Sequence, residues 1–323
     1  MGVVHRVALL AVGTLVTGTL VGTTPTSAAP GATAPSVVGS SDTDVVAAPQ
    51  AMDRAREIRR YWTPERMAAA VPIEELLPSL GGSTTYGDTQ ARDQQRTAQR
   101  GVRVPRTAGK LFFRVDGGDA VCSAAAIKTK RRNQVITAGH CVHTGPNVGL
   151  LQRPHFYSHW VFVPRYRKGR APLGRWVANN AYAFNGWIER EAYRYDQAII
   201  SFKRRDGRRL VDRVGGNEVV WGKRPRHWGV RIWGWPAQSP YDGETARRCD
   251  GRTTRFEGTS DAAMRECDLT GGASGGPWLL PRGRTVNTGR IWAVTSRRLL
   301  ARPVLLATPI PREIRRMIRA ANR

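Results

Sequence analysis

The chain has 323 residues, with 51 Lys+Arg against 25 Asp+Glu, a formal net charge of +26 and a pI near 11.3. A hydrophobic fraction of 41 % is enough for an ordinary core, which excludes wholesale disorder, and the length allows about two domains. After residue 30 no apolar run approaches the roughly 18 residues of a membrane span, and the four cysteines include no C-x-x-C pair, which argues against a structural zinc site.

A basic head, Met1 to Arg6, is followed by an apolar stretch from Val7 to Val21 and by Thr26-Ser27-Ala28-Ala29. This is the pattern of a secretory signal peptide over residues 1–28, with cleavage after Ala28; the competing reading is an uncleaved anchor. Export implies an oxidising compartment, in which the cysteines can form two disulfides. Residues 30–50 are rich in Ala, Pro, Ser, Thr and Val and read as a flexible linker. Ala51, Ala55, Ile58 and Tyr61-Trp62 recur near helical spacing over 51–68, and Pro64 should break or restart that helix. Gly81 to Gly101 is polar and rich in turn residues. Residues 29–106 are therefore read as propeptide and linker.

From Lys110 the texture changes to short β-runs between turn signals. The expected strands are Leu111–Val115, Ala120–Ile127, Gln134–Thr137, His159–Tyr166, Gln197–Phe202, Val230–Trp235, Thr253–Phe256, Pro277–Leu280, Arg290–Ser296 and Val304–Thr308. So many short strands with almost no helix between them point to an all-β barrel or sandwich. Lys203 to Asn217 could join two halves. Ile310, Ile314, Met317, Ile318 and Ala321 share one face of a C-terminal helix, with Pro311 suited to its first turn.

Three segments carry chemistry. Val135-Ile136-Thr137-Ala138-Gly139-His140-Cys141 is a β-run ending in a histidine. Tyr195-Asp196-Gln197-Ala198-Ile199-Ile200 is an aspartate opening an apolar strand. Gly271-Gly272-Ala273-Ser274-Gly275-Gly276-Pro277 sets a serine in a glycine-rich turn. Amide hydrolysis needs a nucleophile, a base with a pKa near neutrality, a group orienting that base, and donors for the oxyanion. Ser274, His140 and Asp196 suit the first three roles, and the glycines let backbone N–H groups turn toward a substrate carbonyl.

The segments Thr137–Cys141, Asp196–Ile200 and Gly272–Pro277, in the order His–Asp–Ser, resemble the chymotrypsin/trypsin-like serine peptidases. Cys267-Asp268-Leu269-Thr270 before the serine motif, and Gly234-Trp235-Pro236 upstream, look like the bacterial branch that includes the glutamyl endopeptidases. The resemblance covers about residues 108–318. It implies an all-β fold of two antiparallel six-stranded barrels, at about 108–205 and 215–310, within a peptidase domain of 107–323. It also implies a C-terminal helix over 311–321 packed on the second barrel. It implies a catalytic triad of His140, Asp196 and Ser274, an oxyanion hole from the N–H groups of Gly272 and Ser274, and disulfides Cys122–Cys141 and Cys249–Cys267. Asp268, Ser296 and Arg298 fall where the family lines its substrate pocket; Arg298 stands where relatives usually carry a small residue. Many animal members place an Asp before the nucleophile to pair with a freed N-terminus. Ala273 stands there in this chain, so activation would act by removal of the segment before about Arg106.

Residues 30–105 hold nine Arg and nine acidic residues, whereas 106–323 hold 41 basic and 16 acidic residues, a net of +25. Such a surface attracts polyanions, although no nucleic-acid-binding signature accompanies it and a merely solvated, Arg-biased face would look the same. Ten scattered Trp are accounted for by core packing. The sequence thus predicts a secreted, extracellular, monomeric serine endopeptidase acting on polypeptides, with no cofactor, no metal and no specific nucleic acid. The competing class is a catalytically idle or incidentally active binding module for polyanions or proteins on the same fold.

Overall fold

The structure, a computed structural model, describes residues 41–49, 55–77, 103–148, 153–280 and 288–323. The expected signal peptide and the segment from Gly81 to Gly101 lie outside the described residues.

The N-terminal part supplies strand β1 (Val45–Pro49), helices α1 (Ala55–Tyr61) and α2 (Pro64–Ala69), a two-residue strand β2 (Val71–Pro72) and the single turn α3 (Ile73–Leu76). Pro64 restarts the helix as its sequence position predicts. It occupies the first turn, where no amide donor is needed, while Thr63 caps by accepting from Arg66 N at 3.3 Å.

The first barrel closes through β3 (Ala108–Val115), β4 (Gly118–Ile127), β5 (Gln134–Thr137), β6 (Ser158–Pro164), β7 (Trp176–Phe184) and β8 (Ala198–Phe202), in the spatial order β3-β4-β5-β8-β7-β6. Helix α4 (Asn185–Arg190) follows β7, and α5 (Leu210–Val214) lies in the connection to the second barrel. That barrel closes through β10 (His227–Gly234), β11 (Arg247–Arg255), β12 (Ala262–Arg265), β15 (Val304–Pro309), β14 (Arg290–Leu299) and β13 (Pro277–Leu280), with the short β9 (Glu218–Val219) parallel to β14. The C-terminal helix is α6 (Ile314–Ala321).

Period-2 alternation divides the first barrel's side chains between two clusters. Leu111, Phe113 and Val115 of β3 join Cys122, Ala124, Val135, Trp160 and Ile200. Phe112 and Ala108 face the other way, to Trp233 and Trp235 of the second barrel, Ile58, Trp62 and Met67 of α1–α2, and Ile314 and Met317 of α6. With both faces covered, these strands are buried almost throughout, which explains their near-continuous apolar runs.

Several expectations need correction. Residues 45–49 are not linker: β1 pairs antiparallel with β7, from Val45 opposite Phe184 to Pro49 opposite Asn180. Helix α6 packs on the first barrel rather than the second, beside β7, β8 and β1. Gln134 donates to Ala321 O at 2.6 Å and fixes the helix end there. Pro311 precedes the helix instead of opening it. Strands β7, β9 and β12 were not expected from sequence.

The two barrels are joined by a buried cation. Lys110 on β3, 1 % exposed, donates to Gly243 O at 3.1 Å and lies 4.0 Å from Glu244. Glu244 accepts from Tyr166 OH at 2.7 Å and from Gly169 N at 3.0 Å.

Candidate active site

Strands β5 and β8 pair so that Thr137 lies opposite Ala198, which brings the residues just beyond each strand together at one end of the barrel. His140 sits in a single 3-10 turn, Gly139–Cys141, and Asp196 directly follows another, Tyr193–Tyr195. Gly139 is required there, because a Cβ would lie 2.9 Å from Trp187 Cγ and 3.1 Å from Asp196 Oδ1. The Cys122–Cys141 bond ties the histidine turn to β4. A disulfide closing a loop of this size is worth about 3 kcal/mol in the chain-entropy view. Because Cys122 and Cys141 are bonded to each other, the cluster they make with His140 offers no thiolate to a metal.

Asp196 is fully buried and its carboxylate is satisfied on all sides. His140 Nδ1 lies 2.9 Å from Oδ2 and 3.1 Å from Oδ1, His140 N donates to Oδ1 at 2.9 Å, and Ser296 Oγ donates to Oδ2 at 2.6 Å. Burial alone would raise this carboxyl's pKa; the charge and hydrogen bond of His140, with the Ser296 and backbone bonds, outweigh it and hold the pKa below the ordinary value. For His140 burial would lower the pKa, but the Asp196 charge and hydrogen bond, and then Glu74 and Glu191, bring it above the ordinary value. Trp187 packs against the imidazole at 5.9 Å between ring centroids, and Tyr157 OH donates to His140 O at 3.1 Å.

Ser274, 3 % exposed, stands in a turn built by close approach. Gly272 and Gly275 have φ of +87° and +76°, where a side chain is strained. A Cβ on Gly275 would fall 2.0 Å from Thr137 Oγ1, and one on Gly276 2.1 Å from Trp233 O. Ser123 threads the turn to both barrels: its N donates to Ser274 O at 2.7 Å and its Oγ to Gly272 O at 2.9 Å, while Trp235 N donates to that Oγ at 2.9 Å.

The Ser274 hydroxyl donates to Glu74 Oε1 of α3, and Gly272 N donates to Glu74 Oε2 at 3.3 Å. A hydroxyl has one proton, so in this state it is not given to His140. The sequence offered no sign of this residue, since one glutamate in a short acidic helix resembles any solvated carboxylate. Trp187 and Tyr157 were likewise not legible as neighbours of the histidine.

Each residue expected to line a pocket has a polar partner in the structure. Ser296 donates its hydroxyl to Asp196 Oδ2 at 2.6 Å. Asp268 accepts from Tyr241 OH at 2.5 Å and borders a cavity of about 440 Å³ formed by β11, β12 and the turn after it. Arg298 donates to Gln238 Oε1 at 2.9 Å, an oxygen that also accepts from Gly271 N at 3.0 Å. Cys249–Cys267 is bonded as expected and anchors the chain entering the Ser274 turn.

A carboxylate that fixes one imidazole tautomer, a hydroxyl in a glycine-built turn and the Gly272 amide beside it form a set able to generate a nucleophile and stabilise a developing oxyanion. Two solved structures share this architecture at 28 % identity. The protease Anisep from Arthrobacter nicotinovorans has a TM-score of 0.61, covering 68 % of this chain and 96 % of that one. The thermostable serine protease AL20 from an extremophilic microorganism has a TM-score of 0.60, covering 67 % and 96 %. A Glu endopeptidase in complex with MPD, at 18 % identity and a TM-score of 0.55 over 70 % of this chain and 95 % of that one, shares the fold. No family model and no curated protein sequence matches the chain. The chain has the two-barrel fold of the chymotrypsin-like serine proteases and is similar to the bacterial members of that family.

Proposed function

We propose that this chain is a secreted serine endopeptidase, made with a signal peptide over 1–28 and a propeptide over 29–106 ahead of a peptidase domain over 107–323. His140 takes the proton of Ser274 as the hydroxyl attacks the scissile carbonyl, then gives it to the leaving amine. Asp196 holds the imidazole in the tautomer that accepts at Nε2 and stabilises the imidazolium. The N–H groups of Gly272 and Ser274 receive the oxyanion, and water resolves the acyl-enzyme. The observation that carries this reading is the fully buried Asp196 carboxylate, bonded at once to the His140 ring, the His140 amide and Ser296. A purely structural aspartate would not need both the ring and the amide of a histidine as its partners. The two disulfides suit an extracellular location, and among the described residues no helix is long and apolar enough to cross a membrane.

The substrates on this reading are polypeptides. The basic surface adds a weak attraction to polyanions, to be seen as salt-dependent retention on heparin that Ser274→Ala leaves intact. The testing experiment is hydrolysis of a peptide library by the processed protein, separated from residues 29–106, and by the same form carrying Ser274→Ala. Cleavage by the former alone is expected; equal cleavage by both would remove the peptidase reading in favour of a binding module.

A further inference from the structure

The catalytic centre already holds a carboxylate ligand, and it comes from the chain itself. Glu74 places one oxygen on the Ser274 hydroxyl and the other on Gly272 N–H. That is how the carboxylate product of peptide hydrolysis would sit, with one oxygen in the oxyanion subsite and its partner beside the nucleophile. Unlike a substrate carbonyl, a side-chain carboxylate has no amine to expel, so it blocks the centre without being consumed.

The neighbours of Glu74 hold it from both sides. Val71 and Pro72 pair with Ala120 and Val121 of β4. Ile73 and Leu77 are buried in the same cluster as Cys122 and Cys141 of the disulfide beside His140. Pro72 packs over Gly271, where a Cβ would come within 3.1 Å of it. Glu75, one residue on, is exposed.

A second set of contacts anchors the rest of the segment. Strand β1 extends β7, and Trp62, fully buried, donates from Nε1 to His159 O at 2.7 Å and accepts at its carbonyl from Arg175 at 2.5 Å. Tyr61 donates to Asp119, which also pairs with Arg66 at 3.2 Å. Ile58, Trp62 and Met67 lie in the cluster that contains Phe112 and Tyr166 of the barrel. Burying three large apolar side chains is a hold that does not depend on a covalent link to residue 103 and beyond.

Resting on the serine endopeptidase reading, we infer that residues 41–77 are a built-in carboxylate inhibitor with Glu74 as its blocking group. The surface formed by β4, β7 and the Ser274 turn is the interface for this partner. Severing the chain between 78 and 102 yields a latent two-chain complex, not an active enzyme. Activity follows when the segment dissociates.

The test uses the full-length chain with a specific protease site introduced between Gly81 and Gly101, and the rate of Ser274 labelling by a fluorophosphonate. Losing one charge-assisted contact of this kind corresponds to a change of about 10- to 100-fold. Glu74→Ala should therefore label faster than the parent by that order, and Glu74→Gln, which keeps the shape, should fall between them. Glu75→Ala should match the parent. Cutting the introduced site should leave the parent slow, with both pieces co-eluting on gel filtration, and adding mild denaturant until the segment separates should raise the rate. Equal rates for the parent and both Glu74 variants would overturn the blocking role. A parent that becomes fast on cutting alone would overturn the two-chain complex. If no form is ever labelled, including the separated one, the peptidase reading itself falls and the inference with it.

Discussion

Four residues carry the proposed chemistry, and their environments set the size of each expected loss. Ser274→Ala and His140→Ala should each lower kcat by about 10⁶, since removing one member of a unit disables the whole. Asp196→Asn should cost about 10⁴, the size known for this substitution in other serine proteases, because the amide stabilises the wrong tautomer. Steady-state hydrolysis by the dissociated enzyme checks all three. Ser296→Ala deletes the 2.6 Å bond to Asp196 and leaves that buried carboxylate one donor short, so kcat should fall by about 10-fold with KM unchanged. A rise in KM alone would assign Ser296 to substrate binding instead of to positioning Asp196. His140 must be neutral to act as base, so activity should rise with pH through its titration. With Glu74 in place that titration lies above the ordinary value of about 6.5, and Glu74→Ala should move it lower, because one of the negative charges raising it is gone. Histidine NMR on both chains measures the displacement. His140, Asp196 and Ser274 could be singled out as the proposed triad because they sit in sequence motifs that are specific in combination. Glu74 was not, because nothing local distinguishes a carboxylate that meets its partner 200 positions away.

At the scale of the element, the N-terminal segment is the feature on which sequence and structure differ most. The Ala/Pro/Val-rich run at 45–49 looks like linker because none of its residues alternates clearly in polarity; only the exposed edge of β7 makes it a strand. Strand β7 was missed for a related reason. Its sequence Trp-Val-Ala-Asn-Asn-Ala-Tyr-Ala-Phe has two adjacent Asn in the middle and little β-branching, and its pairing with β6, β8 and β1 supplies what local propensity does not. The C-terminal helix was legible as a helix from its spacing, yet its docking site was not, since an amphipathic stripe does not say which apolar face it will cover. Trp62 is the main anchor of the segment. Trp62→Ala should weaken docking by about 3 to 5 kcal/mol, and should therefore raise the labelling rate of Ser274 in the uncut chain although residue 62 never touches the centre. An unchanged rate, with the chain still folded by circular dichroism, would separate the anchor from the latch.

For the whole molecule, the proposed chemistry draws His140 and Asp196 from the first barrel and Ser274 from the second, so the barrels must keep their relation, and Lys110 is one of the groups that spans them. Burial pulls its pKa down from 10.5 to about 8, with Glu244 and Asp242 opposing the shift. The folded chain thus gives up this proton near pH 8 while the unfolded chain keeps it until about 10.4. Between those values the unfolded state binds more protons, so this group makes stability rise with pH across that window. Denaturant titrations should show a positive slope from pH 8 to 10 that Lys110→Met removes; above pH 10 the buried tyrosines, whose raised pKa values act in the opposite direction, take over. An identical slope in parent and variant would place Lys110 outside this effect.

The most direct test of the central claim, a Ser274 nucleophile activated by His140 and held idle by Glu74, is the intact mass of the Glu74→Ala chain after exposure to a fluorophosphonate. The account predicts one adduct per chain, mapped to the peptide containing Ser274, and none when His140→Ala or Ser274→Ala is added. An adduct on another residue, or a Ser274 that stays unmodified in the Glu74→Ala chain, would contradict it.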